Sequence, residues 1–193
     1  MNLKQTKIKA AFFALTAFFC VALLFPFPAN AQRRDQLSEM ESELVRDAQE
    51  IDLRAAVYVK AIDRRFLVIN NDTSQSKKVE KDLEKWGELP KGTRAELLLD
   101  IEKILQEAID NIDNLAERDA KSELLPKAVH ILADASARFL PQFKSQLDKT
   151  NSEIEKGAIL GAIDYCNQII EASAKIPKEM PKEKKKKKDN SRS

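Results

Sequence analysis

The 35 residues from 35 to 69 contain neither proline nor glycine, and their apolar side chains recur in steps of three and four. This spacing places them on one side of an α-helix, which would measure about 50 Å over that length. From Leu53 onward a second apolar row joins the first, so the helix there has to be covered by other helices. The first row is Leu37, Met40, Leu44, Ala48, Ile51, Ala55, Tyr58, Ile62, Phe66 and Ile69. The sequence therefore predicts an all-α protein built around one long first helix.

The segment 1–31 has the organisation of a secretory signal peptide. Three lysines precede an apolar run from Ala10 to Phe25, and two prolines separate that run from Ala29-Asn30-Ala31. This pattern describes export with cleavage after Ala31. The alternative is an uncleaved membrane anchor, although the run is short for a span of ~20 residues. We expect an exported bacterial protein, periplasmic or secreted, without a transmembrane span after cleavage.

Two further segments follow, a body at 32–176 and a tail at 177–193. The whole chain carries a net charge of +2, and removing the charges of the signal and the tail leaves the body at −6. Cys166 is the only cysteine of the body, so an intrachain disulfide cannot form there. The body is long enough for a single domain that is stabilised by burial.

The second helix is predicted to be broken. A polar turn at 70–76 leads into a short helix from Lys77 to Leu89, which Gly87, Pro90 and Gly92 interrupt. Thr93-Arg94-Ala95-Glu96 has the capping-box pattern and starts a heptad run that ends near Leu115. Val79, Leu83 and Trp86 are expected to point inward, with Trp86 against Phe66 and Ile69.

Two more helices complete the predicted body. The third begins near Ser122, with Pro126 in its first turn and a kink at Pro141. The fourth follows a second capping-box pattern at 150–153 and runs to about Lys175. Short connections favour antiparallel neighbours, so we predict an up-down-up-down four-helix bundle with a broken second helix. The end near Phe66 should project past the shorter helices or be covered by the segment 77–89.

Residue types needed for a metal or catalytic site are scarce. His130 is the only histidine, and neither the ligand sets of zinc sites nor the Glu-x-x-His pairs of di-iron bundles occur. We expect no cofactor, a surface ion pair between His130 and Asp134, and a buried, unreactive Cys166. Acidic pairs such as Glu41 with Glu43 and Asp110 with Asp113 are assigned to solvated helix faces. The sequence therefore favours a protein that is not an enzyme.

A charged cluster within the most apolar part of the first helix is the candidate ligand or partner site. Charges buried there need partners, so structural pairing is the competing interpretation. The cluster consists of Asp52, Arg54, Asp63, Arg64 and Arg65.

Gly157 and Gly161 lie one helical turn apart in the fourth helix. Their small size suggests a close approach to the first helix near Ala55 and Ala56.

The tail carries five consecutive lysines, Lys184, Lys185, Lys186, Lys187 and Lys188. Its composition predicts disorder, and its charge would attract anionic lipids or glycans. It has no aromatic residue to stack on bases, so sequence-specific nucleic-acid binding is not expected.

Two functions follow from these features. The first is a non-enzymatic binding or scaffold module at the cell envelope, with an envelope protein as partner. The second is a binder of anionic surfaces that works through its tail. The alternative for the tail is that it only keeps the protein soluble.

Overall fold

The computed structural model describes residues 34–72 and 76–177, with residues 76–79 in backbone only. The expected signal peptide and residues 178–193 of the lysine-rich tail lie outside these ranges. Within them the protein is all-helical and contains no strand. The helices are α1 (Glu39–Asp47), α2 (Ile51–Ile69), α3 (Ser76–Trp86), α4 (Arg94–Arg118), α5 (Leu124–Leu147) and α6 (Glu153–Lys175).

The prediction of one unbroken helix over 35–69 is wrong. Ser38 and Glu41 form a capping box that starts α1 at Glu39, and the helix ends at Asp47. The chain then turns through residues 48–50 before α2 begins at Ile51. Helical spacing continues through this turn, so the apolar pattern alone does not reveal it. The turn allows α1 to fold back and pack on α2 and α3.

The later helix boundaries agree closely with the sequence. Thr93 and Glu96 form the predicted capping box of α4. The capping box predicted at 150–153 is wrong, because Ser152 is the N-cap of α6 and accepts from the backbone N–H of Glu155. Pro126 lies in the first turn of α5, and that helix continues through Pro141. The predicted helix from Lys77 to Leu89 ends early, at Trp86, because Gly87 adopts the left-handed conformation with φ +65°.

The core is shared by α2, α4, α5 and α6. α2 packs on α4 and α5, and α6 packs on the same two helices. α4 and α5 follow each other in the chain, yet each packs much less against the other than against α6. Neighbours along the chain are therefore not always the closest neighbours in space.

Aromatic side chains close the C-terminal end of α2. The Phe66 ring lies 5.6 Å from that of Phe139 and 5.1 Å from that of Phe143, measured between centroids. Phe66 is consequently buried by α5 and does not project past it. Trp86 is buried as predicted, but Leu83 is 43% exposed and does not point inward.

Gly161 makes a close approach to α4, and the expected approach to Ala55 and Ala56 is wrong. A methyl group at Gly161 would overlap the carboxylate of Glu102, whereas one at Gly157 would meet open space. Ala56 is itself exposed. The two glycines thus occupy different environments although they lie on one helix.

Candidate functional site

The five charged residues of the predicted cluster do not form one site. Arg64 and Arg65 are each 1% exposed and point toward α1, and Asp52 is buried at the start of α2. Arg54 and Asp63 are half-buried. Because a helix distributes neighbouring positions around its axis, these side chains reach three different parts of the protein.

Arg64 and Arg65 bind a carboxylate from α1. Arg65 forms a fork with Glu41, with Nη1 donating to Oε1 at 3.2 Å and Nη2 donating to Oε2 at 2.9 Å. Arg64 Nε donates to the same Oε1 atom at 3.2 Å. Asp100 of α4 lies 3.7 Å from Arg65 Nε and completes a group of four buried charged residues. We call Glu41, Arg64, Arg65 and Asp100 the Glu41 cluster.

Glu41 is fully buried, so its assignment to a solvated face was wrong. The sequence did contain a signal, because Ser38-Glu39-Met40-Glu41 matches the capping-box pattern. The Ser38 backbone N–H donates to Glu41 Oε2 at 3.0 Å. The same carboxylate therefore caps α1 and pairs with two arginines of α2.

Arg64 also organises the end of α3. Its Nη2 atom donates to three successive backbone oxygens, those of Trp86, Gly87 and Glu88, at 3.1, 3.1 and 2.5 Å. Its guanidinium carbon lies 5.8 Å from the centre of the Trp86 ring, which suits a cation–π contact. Burial lowers the pKa of Arg64, and the nearby carboxylate of Glu41 opposes that shift. Arg64 thus links α1, α2 and α3.

Asp52 pairs with a lysine of α5. Lys127 Nζ lies 2.5 Å from Asp52 Oδ2, while Asp52 Oδ1 is buried without a hydrogen-bond partner. Burial alone would raise the pKa of Asp52, but bonds from Lys127 and the backbone hold it below its usual value. The pair connects the start of α2 to the start of α5.

Arg54 and its neighbours form a polar network on α4. Arg54 donates to the backbone oxygen of Ala48 at 3.1 Å and to Asn111 at 3.0 Å. Tyr58 donates to Glu107 at 2.9 Å. Burial, with Glu107 beside it, raises the pKa of Tyr58 well above its usual range, so this phenol stays protonated.

Asp63 lies in an open cleft of about 240 Å³ between α2 and α5. Arg138 of α5 faces it, with 3.4 Å between Nη1 and Oδ1, and 56% of the Arg138 side chain is exposed. Lys60 also lines the cleft and pairs with Asp82 of α3 at 2.5 Å. The remaining lining residues are Arg64, Phe66, Leu67, Asn70, Asp72 and Gln142. The cleft therefore presents both signs of charge together with amide groups.

The structure also describes the surroundings of Cys166, His130 and the acidic pair Asp110 and Asp113. Cys166 is fully buried, and burial raises the pKa of its thiol to about 11, so it is a poor nucleophile at neutral pH. The predicted pair of His130 with Asp134 is wrong, because His130 Nε2 lies 3.1 Å from the backbone oxygen of Ile176. Asp110 and Asp113 are exposed, as expected. Among the described residues, no group of three or more His, Cys, Asp or Glu side chains is placed to hold a metal ion.

None of the helices in the described ranges is both long and apolar enough to cross a membrane. Comparison of the chain with protein-family models, curated proteins and solved structures finds no match. The candidate site is therefore judged on its own geometry.

Proposed function

We propose that this chain is an exported, non-enzymatic binding module of the bacterial cell envelope, and that the cleft between α2 and α5 contacts its partner. The observation that carries the proposal is that the charged side chains of the Glu41 cluster are buried, whereas the cleft contains an exposed charged side chain. Arg64 and Arg65 are buried and paired with Glu41, whereas the side chain of Arg138 in the cleft is more than half exposed. Exposed arginine beside amide groups suits recognition of a polar partner surface.

We also propose that α2, α4, α5 and α6 form an up-down-up-down bundle that holds this cleft open. The pairs Asp52–Lys127 and Asn70–Gln142 support parallel directions for α2 and α5. The contact of Arg94 with Glu155 lies near the first residues of both α4 and α6, which supports the same relation for those helices. A rigid arrangement of this type would keep Asp63 and Arg138 at a fixed separation.

A charge-reversal experiment tests the cleft. Arg138→Glu and the control Lys144→Glu change the net charge equally, and both lie on exposed positions of α5. Each protein is used to capture partners from an envelope extract. We expect at least one partner to be captured by the unmodified protein and by Lys144→Glu but not by Arg138→Glu. Equal capture by all three proteins contradicts a role for the cleft.

The export step has its own test. The proposal expects the protein recovered from the periplasm or medium to begin at Gln32, as its intact mass would show. Recovery of the complete 193-residue chain in the membrane fraction contradicts it.

A second candidate function rests on the basic tail. The lysines at 184–188 oppose a body of charge −6, so electrostatic binding to an anionic lipid or glycan would depend on the tail alone. These residues lie outside the described part of the chain, and the support comes from the sequence.

A further inference from the structure

The turn between α1 and α2 contains none of the residues that usually end a helix. Its residues are Ala48, Gln49 and Glu50, all of which favour helical conformation. Ala48 has φ −72° and ψ 86°, so α1 does not end in the common left-handed conformation. Glu50 makes no side-chain cap on α2. The local sequence therefore provides little reason for the chain to bend here.

The apolar pattern also continues through this turn. Leu44, Ala48, Ile51 and Ala55 follow one another in steps of four, three and four. A straight helix would place them on one face. It would also separate Glu41 from Arg65 by about 36 Å, because each helical residue adds 1.5 Å. Straightening and the Glu41 cluster are incompatible within a single chain.

Tertiary contacts hold the bend. The Glu41 carboxylate binds both arginines, and Arg65 Nη2 donates to the backbone oxygen of Gln36. The Gln36 side chain donates to Glu107 of α4 at 2.8 Å. Arg54 donates to the backbone oxygen of Ala48 within the turn itself. All but the last of these contacts join the segment 35–47 to a surface of α2 and α4.

That surface requires a carboxylate. If the segment 35–47 left it, Arg64 and Arg65 would lose the Glu41 carboxylate to which both bind. A second copy of the chain offers a Glu41 with the same flanking residues. Two straightened chains can therefore restore every contact of the segment except those inside the turn, a relation known as domain swapping.

We propose that the surface under α1 is a self-association site at which two chains exchange their 35–47 segments by straightening residues 48–50. The partner is a second copy of this chain, and its Glu41 replaces the intrachain one. Only the turn changes conformation. Straightening gains helical hydrogen bonds, whereas bending retains the freedom of the separate monomers, so the balance depends on the turn residues and on protein concentration.

Variants of the turn shift this balance in opposite directions. Gln49→Ala/Glu50→Ala raises helix propensity at two exposed positions. Glu50→Pro suits the bent form, in which residue 50 has φ −84°, but breaks a continuous helix. Each protein is refolded from urea at a series of concentrations. Light scattering after gel filtration then measures the fraction of dimer. We expect the double alanine variant to raise the dimerisation constant by about fivefold or more, because both chains straighten together. We expect Glu50→Pro to remain monomeric.

A crosslink shows whether the dimer is exchanged. Cysteines at Gln36 and Glu107, whose side chains touch in the structure, are joined by a short bifunctional maleimide in the double alanine background. Cys20 is changed to Ser, and the buried Cys166 is protected in the folded protein. The exchanged dimer gives a covalent dimer on a denaturing gel, whereas unexchanged chains give crosslinked monomer.

Three results would overturn the proposal. The first is a double alanine variant that folds, by circular dichroism, and stays monomeric at every concentration. The second is equal dimerisation of the Glu50→Pro variant. The third is a dimer whose crosslinks all lie within one chain.

Discussion

Glu41 and Arg65 are 24 positions apart in the sequence, yet they form a two-bonded fork between fully buried side chains. The fork requires the chain to reverse between α1 and α2. It also buries the Glu41 carboxylate, which the sequence assigned to a solvated helix face. This contact, with the neighbouring Arg64, determines the position of α1.

Replacing Glu41 should therefore be costly. Glu41→Ala leaves two buried arginines without their carboxylate and removes the α1 capping box, so we expect a loss of about 3–5 kcal/mol in unfolding free energy. Urea denaturation measures the loss. The control Glu43→Ala removes an exposed acid of the same helix and should change stability by less than about 0.5 kcal/mol. Similar losses for the two variants would show that the pairing of Glu41 is unimportant.

Trp86 should be a major packing residue of α3. It is 8% exposed and lies beside Arg64, so Trp86→Ala should reduce the unfolding free energy by about 3 kcal/mol or more. Leu83→Ala serves as the control, because Leu83 is 43% exposed on the same helix and should lose less than about 1 kcal/mol. Native tryptophan fluorescence typical of a water-exposed indole would contradict the burial on which this prediction depends.

The Asp52–Lys127 pair should make stability depend on pH. Because the pKa of Asp52 lies below its ordinary 3.8, its contribution is present above that value and disappears as the pH falls through the lower pKa of the folded state. The pKa of Lys127 is raised by its bond to Asp52 above the ordinary 10.5. That contribution is therefore present below 10.5 and is lost at higher pH.

Lys127→Ala tests this relation, with Lys144→Ala as the control on α5. The melting temperature of Lys127→Ala should fall below that of the parent protein near neutral pH. The difference should shrink as the pH drops well below 4, because Asp52 then binds a proton and no longer needs the lysine. A difference that is the same at pH 3 and pH 7 would exclude an electrostatic origin.

The two glycines of α6 should respond differently to a methyl group. Gly157→Ala meets open space and should stabilise the helix by about 0.5–1 kcal/mol. Gly161→Ala would have to displace the Glu102 carboxylate, the far end of a flexible side chain, so it should gain less stability than Gly157→Ala. Thermal denaturation compares them directly. Equal gains from both substitutions would mean that α4 does not depend on the small residue at 161.

Removal of 177–193 tests the role of the basic tail. The truncated protein should unfold at nearly the same urea concentration as the complete chain, because Met180 is the only large apolar residue removed. It should lose binding to vesicles that contain anionic lipid. Binding by the complete chain should weaken steeply as salt rises toward physiological strength, where screening acts over ~8 Å. Equal binding by both forms, or binding that ignores salt, would leave the α2–α5 cleft as the remaining candidate.

Local sequence signals determined much of the helical structure. Thr93 and Glu96 start α4 where the sequence places it, because they satisfy backbone N–H groups within its first turn. Ser152 caps α6 two residues after Thr150, where the predicted capping box began. Gly87 ends α3 through a conformation that other residues adopt only at a cost. The burial of Cys166 likewise follows from its apolar helix face. These features depend on residues that are close together in the chain.

The candidate site was less predictable for a physical reason. The sequence correctly indicated that charges within an apolar helix need partners. It did not predict which residues those partners are. Asp52 pairs with Lys127 of α5, and Asp63 pairs with Arg138 of the same helix. Each pairing depends on which helices become neighbours, and the weak packing between α4 and α5 shows that chain order does not decide this.

The bend at 48–50 shows most clearly which features follow from the local sequence and which depend on tertiary contacts. Spacing and propensity by themselves predicted one continuous helix over residues 35–69, and the structure confirms helix for Glu39–Asp47 and Ile51–Ile69. Only the tertiary structure decided that α1 folds back, because two buried guanidinium groups require the Glu41 carboxylate beside them. In the structure this pairing across 24 residues prevails over the helix propensities of Ala48, Gln49 and Glu50, which differ from those of other residues by less than about 1 kcal/mol each.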